Sequence, residues 1–135
     1  SRVYEIGLSE FSYRDQISLL AYSPLAQGYL TGKYLDGARP EGARTTLFNR
    51  GQRYETPHAE KIIKKYMQLA NEYHLDPALM ALAFVNQQEF VTSNIIGATN
   101  MDQLELAIKS FSTTLSKELI EKINSIHLEC PNPCP

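Results

Sequence analysis

The sequence predicts an α/β fold with two parallel strands and about five helices. Residues 17–22 form a compact apolar run, which is typical of a strand buried on both faces of a parallel sheet. Residues 91–97 are predicted to form a second short strand that ends in glycine, and two helix start signals lie between the strands. A helical connection of this length joins parallel strands, and such connections are right-handed.

A short amphipathic helix is predicted before the first strand. Between residues 2 and 14, Tyr4, Leu8 and Phe11 are spaced by four and then three positions, which places them on one helix face. The next helix is expected to begin at Thr56-Pro57, because an N-cap residue precedes a proline in the first helical position. Its apolar stripe consists of Ile62, Ile63, Tyr66, Ala70 and Tyr73.

Three further helices follow from their N-cap residues. Asp76-Pro77 repeats the start signal before residues 78–85, which are apolar all round and should be buried on most sides. Asn100 and Ser116 are the predicted N-caps of the last two helices. Their apolar positions are Leu104, Ala107, Ile108 and Phe111 in the first, and Leu119, Ile123 and Ile126 in the second, with Leu115 and Ile120 at the staple positions around Ser116.

Residues 23–55 are expected to form one long loop. Five glycines and two prolines interrupt this segment, and it holds five of the thirteen basic residues, namely Lys33, Arg39, Arg44, Arg50 and Arg53. Loops of this length are uncommon in compact domains unless they are functional or disordered. Two interpretations stay open: a mobile solvated loop, and a flap that closes over an anionic ligand.

Length and composition exclude several functional classes. The chain has 135 residues, the size of one ordinary domain, and its formal net charge of −2 does not provide the clustered basic excess that nucleic acids require. No apolar run approaches the roughly 20 residues of a membrane span, and no signal-peptide pattern opens the sequence. We therefore predict a cytoplasmic protein without nucleic-acid or membrane partners.

The cysteines and histidines do not predict a metal or redox site. Cys130 and Cys134 are separated by three residues and lack a partnering cluster, whereas a structural zinc site needs four ligands. Three of the last six residues are prolines, so residues 128–135 are predicted to be a flexible tail whose thiols stay reduced. His58, His74 and His127 are expected to be surface or capping residues.

Candidate binding residues follow both predicted strands, at the ends where ligands bind in α/β folds. Gly97 precedes Thr99 and Asn100 at a helix start, and the free N–H groups of a first helical turn attract anions such as phosphate. Ser23 follows the first strand, so both sets would face one ligand if the strands are neighbours. The same pattern also fits a βα turn without a ligand.

Several segments resemble the aldo-keto reductase family, in order and at compatible spacing. Residues 17–34, ISLLAYSPLAQGYLTGKY, resemble its seventh-strand region, and residues 93–104, SNIIGATNMDQL, resemble its eighth strand and the start of the next helix. Residues 40–44, PEGAR, followed by Phe48 are similar to the long loop between them, and the Asp76-Pro77 helix and the closing LSKELIEKI also fit. The sequence is most similar to the bacterial Tas-type branch, which is related to the potassium-channel β subunits.

The resemblance implies that residues 1–135 are the C-terminal part of a (β/α)8 TIM barrel that reduces aldehydes or ketones with NADPH and without a metal. Tyr22 would stack on the nicotinamide ring. Arg44 would pair with the phosphates or the adenosine 2′-phosphate, because a planar guanidinium suits a dianion. The other implied contacts are Ser23, Pro24, Leu25, Gln27 and Lys33 along the nicotinamide and pyrophosphate, and Gly97, Thr99 and Gln103 at the adenosine end.

The sequence departs from the family pattern in two respects. Ala107 stands where the family often has an asparagine, and alanine cannot hydrogen-bond adenine. The family's proton donor is a tyrosine tuned by a lysine, with an aspartate and a histidine beside them. The match places these residues on earlier strands and loops, and no segment here resembles them, so no catalytic residue is predicted in this chain.

We therefore expect a fragment of an NADPH-dependent oxidoreductase that contributes the cofactor-binding part and is inactive in isolation. A (β/α)8 barrel typically needs about 250 residues, and the sequence begins with Ser1 rather than Met. The expected partners are a small carbonyl substrate and either the missing amino-terminal part of the barrel or further copies of the chain, since open strand edges seek partners. The alternative is a non-catalytic NADP(H)-sensing or interaction protein of the same fold.

Overall fold

The structure, a computed structural model, describes residues 1–134 and contains two neighbouring parallel strands. Strand β1 (Leu19–Tyr22) pairs with β2 (Val91–Ile95), and the register places Tyr22 opposite Ile95. The register shifts between Leu19 and Leu20, so one residue of β2 has no partner. The predicted parallel pair is therefore confirmed.

Five helices of eight or more residues accompany the strands, as the sequence predicts. They are α1 (Leu8–Asp15), α3 (Ala59–Glu72), α4 (Pro77–Asn86), α5 (Met101–Ser112) and α6 (Lys117–Glu129). A further helix of five residues, α2 (Arg44–Phe48), lies in the segment between β1 and α3. Four short 3-10 turns, Val3–Ile6, Ala26–Thr31, Leu35–Gly37 and Gln52–Tyr54, complete the described elements.

Three of the four predicted N-caps are confirmed. The Asp76 side chain accepts hydrogen bonds from the N–H groups of Ala78 and Leu79, at 2.7 and 3.1 Å. Asn100 caps α5 and Ser116 caps α6 in the same way. The prediction for Thr56 is wrong by two residues, because α3 begins at Ala59 after His58, although the Thr56 hydroxyl still accepts a hydrogen bond from the Ala59 N–H at 3.1 Å.

Helix α4 occupies the centre of the structure, as its apolar sequence predicts. It contacts α3, α5, β2 and the Ala26–Thr31 turn. The main core cluster lies between α3, α4 and α6 and consists of Leu69, Ala70, Met80, Ala83, Leu115, Leu119 and Ile123. A polar link joins α4 to its other neighbours: Asn86 accepts a hydrogen bond from Asn94 of β2 at 3.0 Å and donates one to Ser110 of α5 at 2.9 Å.

The segment between β1 and α3 contains short helices and buried side chains, so the prediction that residues 23–55 form one long loop is wrong. Both the mobility of this segment and its closure over an anionic ligand stay predictions. Its 3-10 turns and α2 enclose a second core cluster in which Tyr29 and Tyr34 are buried. Glycine is required at position 51, where a side-chain carbon would collide with the Tyr29 hydroxyl. Long-range burial of aromatic rings therefore orders a segment that its glycine and proline content marks as irregular.

Strand β1 is not buried on both faces, which corrects the prediction for residues 17–22. Leu20 is 59% exposed and Tyr22 is 73% exposed. They share a sheet face with Ile95, whereas the opposite face carries the buried Asn94 against α4. Helix α4 covers one side of the sheet, and no described element covers the other.

Two of the predicted helix stripes are exposed for the same reason. Leu8 and Phe11 on α1 are exposed, and so are Ile108 and Phe111 on α5. Helix α5 instead packs against α4 through a side that includes the buried Ala107 and Ser110. The prediction of one helix within residues 2–14 is wrong, because Tyr4 lies in the separate Val3–Ile6 turn and Gly7 divides that turn from α1. The α5 stripe forms, with Ala107 buried, but no described residues cover Ile108 and Phe111.

The segment after α6 contacts the start of the chain and the residues just before α3. The Asn132 side-chain oxygen accepts a hydrogen bond from the Arg2 N–H at 2.7 Å, and the Thr56 hydroxyl donates to the Pro133 carbonyl at 2.8 Å. Cys130 and Cys134 are free thiols, and Cys134 packs against the second core cluster. Flexibility of residues 128–135 stays a prediction, and Pro135 lies outside the described residues.

None of the described helices combines the length and the apolar character needed to cross a membrane.

We predict that Asp76→Ala lowers the free energy of unfolding by about 1 kcal/mol, because two N–H groups at the start of α4 lose their acceptor. Urea denaturation followed by circular dichroism measures the change. Asp15→Ala is the control, since Asp15 is exposed at the carboxyl end of α1 and caps no helix start. An equal loss of stability in both variants would contradict the prediction.

Candidate functional site

The candidate site lies where the two strands end side by side. Because Tyr22 is paired with Ile95 in a parallel register, the turn after β1 and the segment leading to α5 leave the sheet at the same edge. The structure therefore sets Tyr22 beside Ile95, and the segments that carry Ser23, Pro24 and Leu25 on one side and Gly97 on the other both continue from this end of the sheet. This adjacency is the condition under which the sequence predicts a shared ligand.

The turn after β1 has an unusual backbone. Ser23, Ala26 and Gln27 have φ values of 56°, 49° and 57°, in the left-handed region that non-glycine residues seldom adopt. Backbone hydrogen bonds hold this shape, from the Ala26 N–H to the Ser23 carbonyl at 2.9 Å and from the Gly28 N–H to the Leu25 carbonyl at 2.8 Å. Such strain persists only where surrounding structure imposes it, and it clusters at ligand sites.

Gln27 lies in this turn, and Lys33 follows it in the chain. The side-chain oxygen of Gln27 is buried and has no hydrogen-bond partner among the described residues, an arrangement that costs free energy unless a ligand or water satisfies it. The Lys33 stem crosses Gly28, where an added side-chain carbon would lie 2.6 Å from its Cε atom. Its ammonium group is 5.3 Å from the centre of the Tyr34 ring.

The start of α5 forms the other half of the site. Gln103 folds back so that its side-chain oxygen accepts hydrogen bonds from the N–H of Thr99 at 3.0 Å and from its hydroxyl at 3.2 Å. Gly97 is exposed, and a side-chain carbon added there would meet no atom within 4 Å. The fold therefore does not need glycine at this position, whereas close approach by a ligand would.

Arg44 lies outside the turn after β1 and outside the start of α5. It is the first residue of α2, a helix that is hydrogen-bonded to Tyr34. It is exposed at the start of α2, and it forms no ion pair within the described part of the chain. The neighbouring Thr45 N–H donates to the Tyr34 hydroxyl at 3.2 Å, which ties α2 to the Lys33-Tyr34 segment. Ala107 is buried, so it offers no contact at the adenosine end.

A cluster that sequence reasoning missed orders the segment around the site. The Tyr29 ring lies 4.6 Å from the Tyr34 ring and 5.3 Å from the Tyr54 ring, measured between centroids. The Tyr29 hydroxyl donates to the Glu55 carboxylate at 2.6 Å, and Arg39 donates to the same oxygen at 2.6 Å. We name Tyr29, Arg39 and Glu55 the tyrosine clasp. The partners are 26 and 16 residues apart, so no local spacing signals them.

Burial and the Glu55 hydrogen bond raise the pKa of Tyr29 from 10.0 to about 12. The clasp hydroxyl is therefore a hydrogen-bond donor throughout the physiological range and is not poised to exchange protons. A cleft of about 190 Å³ runs beside the clasp, and a second of about 370 Å³ lies between α4 and α5. Neither cleft is lined by any of the ten predicted cofactor contacts.

The histidines occupy the peripheral positions that the sequence predicts. His58 is the exposed residue before α3, His74 is exposed in the α3–α4 connection, and His127 is half-buried on α6. Burial and the nearby Arg2 lower the pKa of His127. No group of three or more potential metal ligands occurs within residues 1–134.

Known proteins similar to this chain were found by sequence and by structure. The family model described as the aldo/keto reductase family matches residues 1–128. The chain is 47% identical to Protein tas from Escherichia coli over 135 residues, which is all of this chain and 39% of that protein. It is 33% identical over 112 residues to a putative voltage-gated potassium channel subunit beta from Schizosaccharomyces pombe, covering 78% of this chain and 32% of that one.

A solved structure shares the fold. The glycerol dehydrogenase of Gluconobacter oxydans superposes with a TM-score of 0.75 at 21% identity, over all of this chain and 41% of that chain. The two strands and their helices therefore correspond to part of an α/β barrel. The chain spans about two fifths of the length of its E. coli relative.

We predict that the Tyr29 hydroxyl ionises near pH 12 in an alkaline titration followed by ultraviolet absorbance. The pKa of the Tyr29 hydroxyl is higher in the folded than in the unfolded state, so the protonated hydroxyl stabilises the folded state. This contribution to the free energy of unfolding is complete below pH 10 and is lost as the pH rises through 12. Tyr29→Phe should remove this step, and Glu55→Gln should move it to lower pH. Glu60→Gln is the control, since Glu60 lines the same cleft but does not bond Tyr29; a similar shift in that variant would contradict the assignment.

Proposed function

Because this chain belongs to the aldo/keto reductase family, we propose that it forms the cofactor-binding part of an oxidoreductase that reduces aldehydes or ketones to alcohols with NADPH. One observation carries the proposal. Tyr22 pairs with Ile95 at the carboxyl ends of the two strands, so the strained turn after Tyr22 and the segment that leads through Gly97 to α5 start from the same end of the sheet.

The residues at this edge suit a dinucleotide. The unpartnered oxygen of Gln27 leaves an acceptor to be satisfied, and the open space at Gly97 admits a close approach to the backbone. The N–H groups of Met101 and Asp102 lie in the first turn of α5, where a helix has no internal acceptor for them. We assign the nicotinamide and pyrophosphate to the turn of residues 22–27 with Lys33, and the adenosine end to Gly97, Thr99 and Gln103.

The phosphate groups of the cofactor are negatively charged, so the residues that bind them should supply positive charge. The Asp102 carboxylate in the first turn of α5 opposes an anion there. Arg44 is an exposed guanidinium without an ion-pair partner in the described chain, and its planar donors suit a phosphate dianion. We assign Arg44 to the phosphates or the 2′-phosphate, which distinguishes NADPH from NADH.

NADPH supplies the hydride for carbonyl reduction when it is bound. The proposed contribution of this chain is to bind and orient the cofactor, with the exposed Tyr22 ring against the nicotinamide. The reaction also needs a proton donor. None of the three histidines lies in the turn after β1 or within residues 97–103, and Tyr29 holds its proton to about pH 12. We therefore propose that a small carbonyl substrate is reduced only when further residues complete the site, and that the chain alone is inactive.

We further propose that the protein works in the cytoplasm, where free thiols such as Cys130 and Cys134 stay reduced.

A second candidate function is NADP(H) sensing without catalysis. It is favoured by the likeness to a putative potassium channel β subunit, 33% identical over 112 residues. The same cofactor residues would serve a sensor, so turnover distinguishes the two functions. Tight NADPH binding without reduction of any aldehyde by the completed barrel would favour the sensor.

The proposal is tested in a chimera in which this chain replaces the matching 135 residues of the E. coli relative. We expect the chimera to bind NADPH, measured by cofactor fluorescence, and to reduce an aldehyde such as glyceraldehyde. Arg44→Ala should weaken NADPH binding at least about tenfold, because charge-assisted hydrogen bonds to a phosphate are lost. Binding of NADH should change less.

Two further variants serve as comparison and control. Gly97→Val should weaken NADPH binding without lowering the melting temperature, since the new side chain projects into open space. Arg50→Ala removes another exposed arginine of the same segment and should leave binding within about twofold. Unchanged NADPH affinity in both Arg44→Ala and Gly97→Val would refute the assigned site.

A further inference from the structure

The Lys33 side chain lies in a narrow slot between the Gly28 backbone and the Tyr34 ring. Its ammonium nitrogen is 5.3 Å from the centre of that ring, within the range of a cation–π interaction. A side-chain carbon added at Gly28 would lie 2.6 Å from the Lys33 Cε atom, 2.9 Å from its Nζ atom and 3.5 Å from Cε2 of Tyr34. Glycine at position 28 therefore leaves the space that the Lys33 side chain occupies.

The Tyr34 hydroxyl caps helix α2. The residue before α2 is Ala43, whose side chain offers no acceptor to the free N–H groups of the first helical turn. The Tyr34 hydroxyl oxygen instead accepts a hydrogen bond from the Thr45 N–H at 3.2 Å, although the two residues are 11 positions apart. Because Thr45 directly follows Arg44, this bond anchors the backbone from which the Arg44 guanidinium extends.

Tyr34 is itself held in place by the second core cluster. It is 5% exposed, and its ring centre lies 4.6 Å from that of the buried Tyr29. The Tyr29 hydroxyl in turn donates to the Glu55 carboxylate at 2.6 Å. One buried side chain thus contacts the exposed Lys33 through its ring and anchors the exposed Arg44 through its hydroxyl.

We propose that Tyr34 is the positioning residue for the two cations of the phosphate-binding part of the site, and that Gly28 keeps open the slot for one of them. Neither residue touches the anion. An ammonium group has three N–H donors, so contact with the ring face leaves Lys33 able to donate to a phosphate oxygen. The inference rests on the proposed function, because Lys33 and Arg44 are assigned there to the pyrophosphate and phosphates.

The first test removes only the Tyr34 hydroxyl, in the chimera that tests the proposed function. Tyr34→Phe leaves the Thr45 N–H without its acceptor, so NADPH binding, measured by cofactor fluorescence, should weaken about fivefold, on the scale of one lost helix cap. In an Arg44→Ala background the same change should have less than about a twofold effect, because Tyr34 acts through Arg44. Equal effects in the two backgrounds would overturn the inference.

The second test closes the slot beside Lys33. Gly28→Ala should displace the flexible end of Lys33 and weaken NADPH binding about tenfold, but it should have no further effect in a Lys33→Met background. Gly37→Ala is the matched control, since φ is 76° at Gly37 and 96° at Gly28, whereas a carbon added at Gly37 meets no atom within 4 Å. Equal losses of affinity in Gly28→Ala and Gly37→Ala would overturn the inference.

Hydrogen exchange in the cofactor-free chimera separates this inference from the proposed function. Tyr34→Phe should speed the exchange of the Thr45 amide at least about fivefold. Tyr54→Phe is the control, because Tyr54 stacks on Tyr29 in the same cluster but does not accept the Thr45 hydrogen bond, and exchange should stay within about twofold of the parent. Failure of the chimera to bind NADPH would refute the proposed function, whereas unchanged exchange at Thr45 in Tyr34→Phe would overturn the inference whether or not NADPH binds.

Discussion

The burial of helix α4 is the constraint on which the rest of this structure depends. Its apolar side chains face α3, α5, β2 and the turn after β1, so these elements take their places against it. Asn86 adds a polar link, because it is hydrogen-bonded to Asn94 on β2 and to Ser110 on α5. A shift of β2 by one residue would turn Asn94 to the other face and leave Asn86 without this partner. Packing and hydrogen bonding thus specify one register.

The candidate cofactor site takes its geometry from this arrangement. Once β2 is positioned, the parallel pairing of Tyr22 with Ile95 makes the strained turn after β1 and the segment that contains Gly97 start from the same end of the sheet. The tyrosine clasp stabilises the segment between β1 and α3, which includes this turn. By burying Tyr29 and Tyr34 it orders the segment that carries Lys33 and Arg44. Anchoring of the backbone that carries these cations would lower the conformational entropy lost if an anion binds there.

Features that depend on neighbours in the sequence could be predicted well. Asp76, Asn100 and Ser116 are helix caps because a short side chain reaches N–H groups two or three residues away, which spacing alone reveals. Thr56 shows the limit, since the same signal places the start of α3 two residues early. The tyrosine clasp could not be predicted from local spacing, because Tyr29 and Glu55 meet only after the intervening turns have folded.

By itself, the sequence determined the two strands, the five main helices, the family and the ten residues proposed to hold a cofactor. The strands and helices follow from local periodicity and capping, whereas the ten proposed contacts follow from the resemblance of ordered motifs to the family. Only the tertiary structure decided that residues 23–55 form short helices around buried tyrosines and that Leu20, Tyr22, Phe11 and Phe111 are exposed. Periodicity reports which side chains are apolar and share a face. Whether that face is buried depends on what packs against it, and within the described residues α4 covers only one side of the sheet.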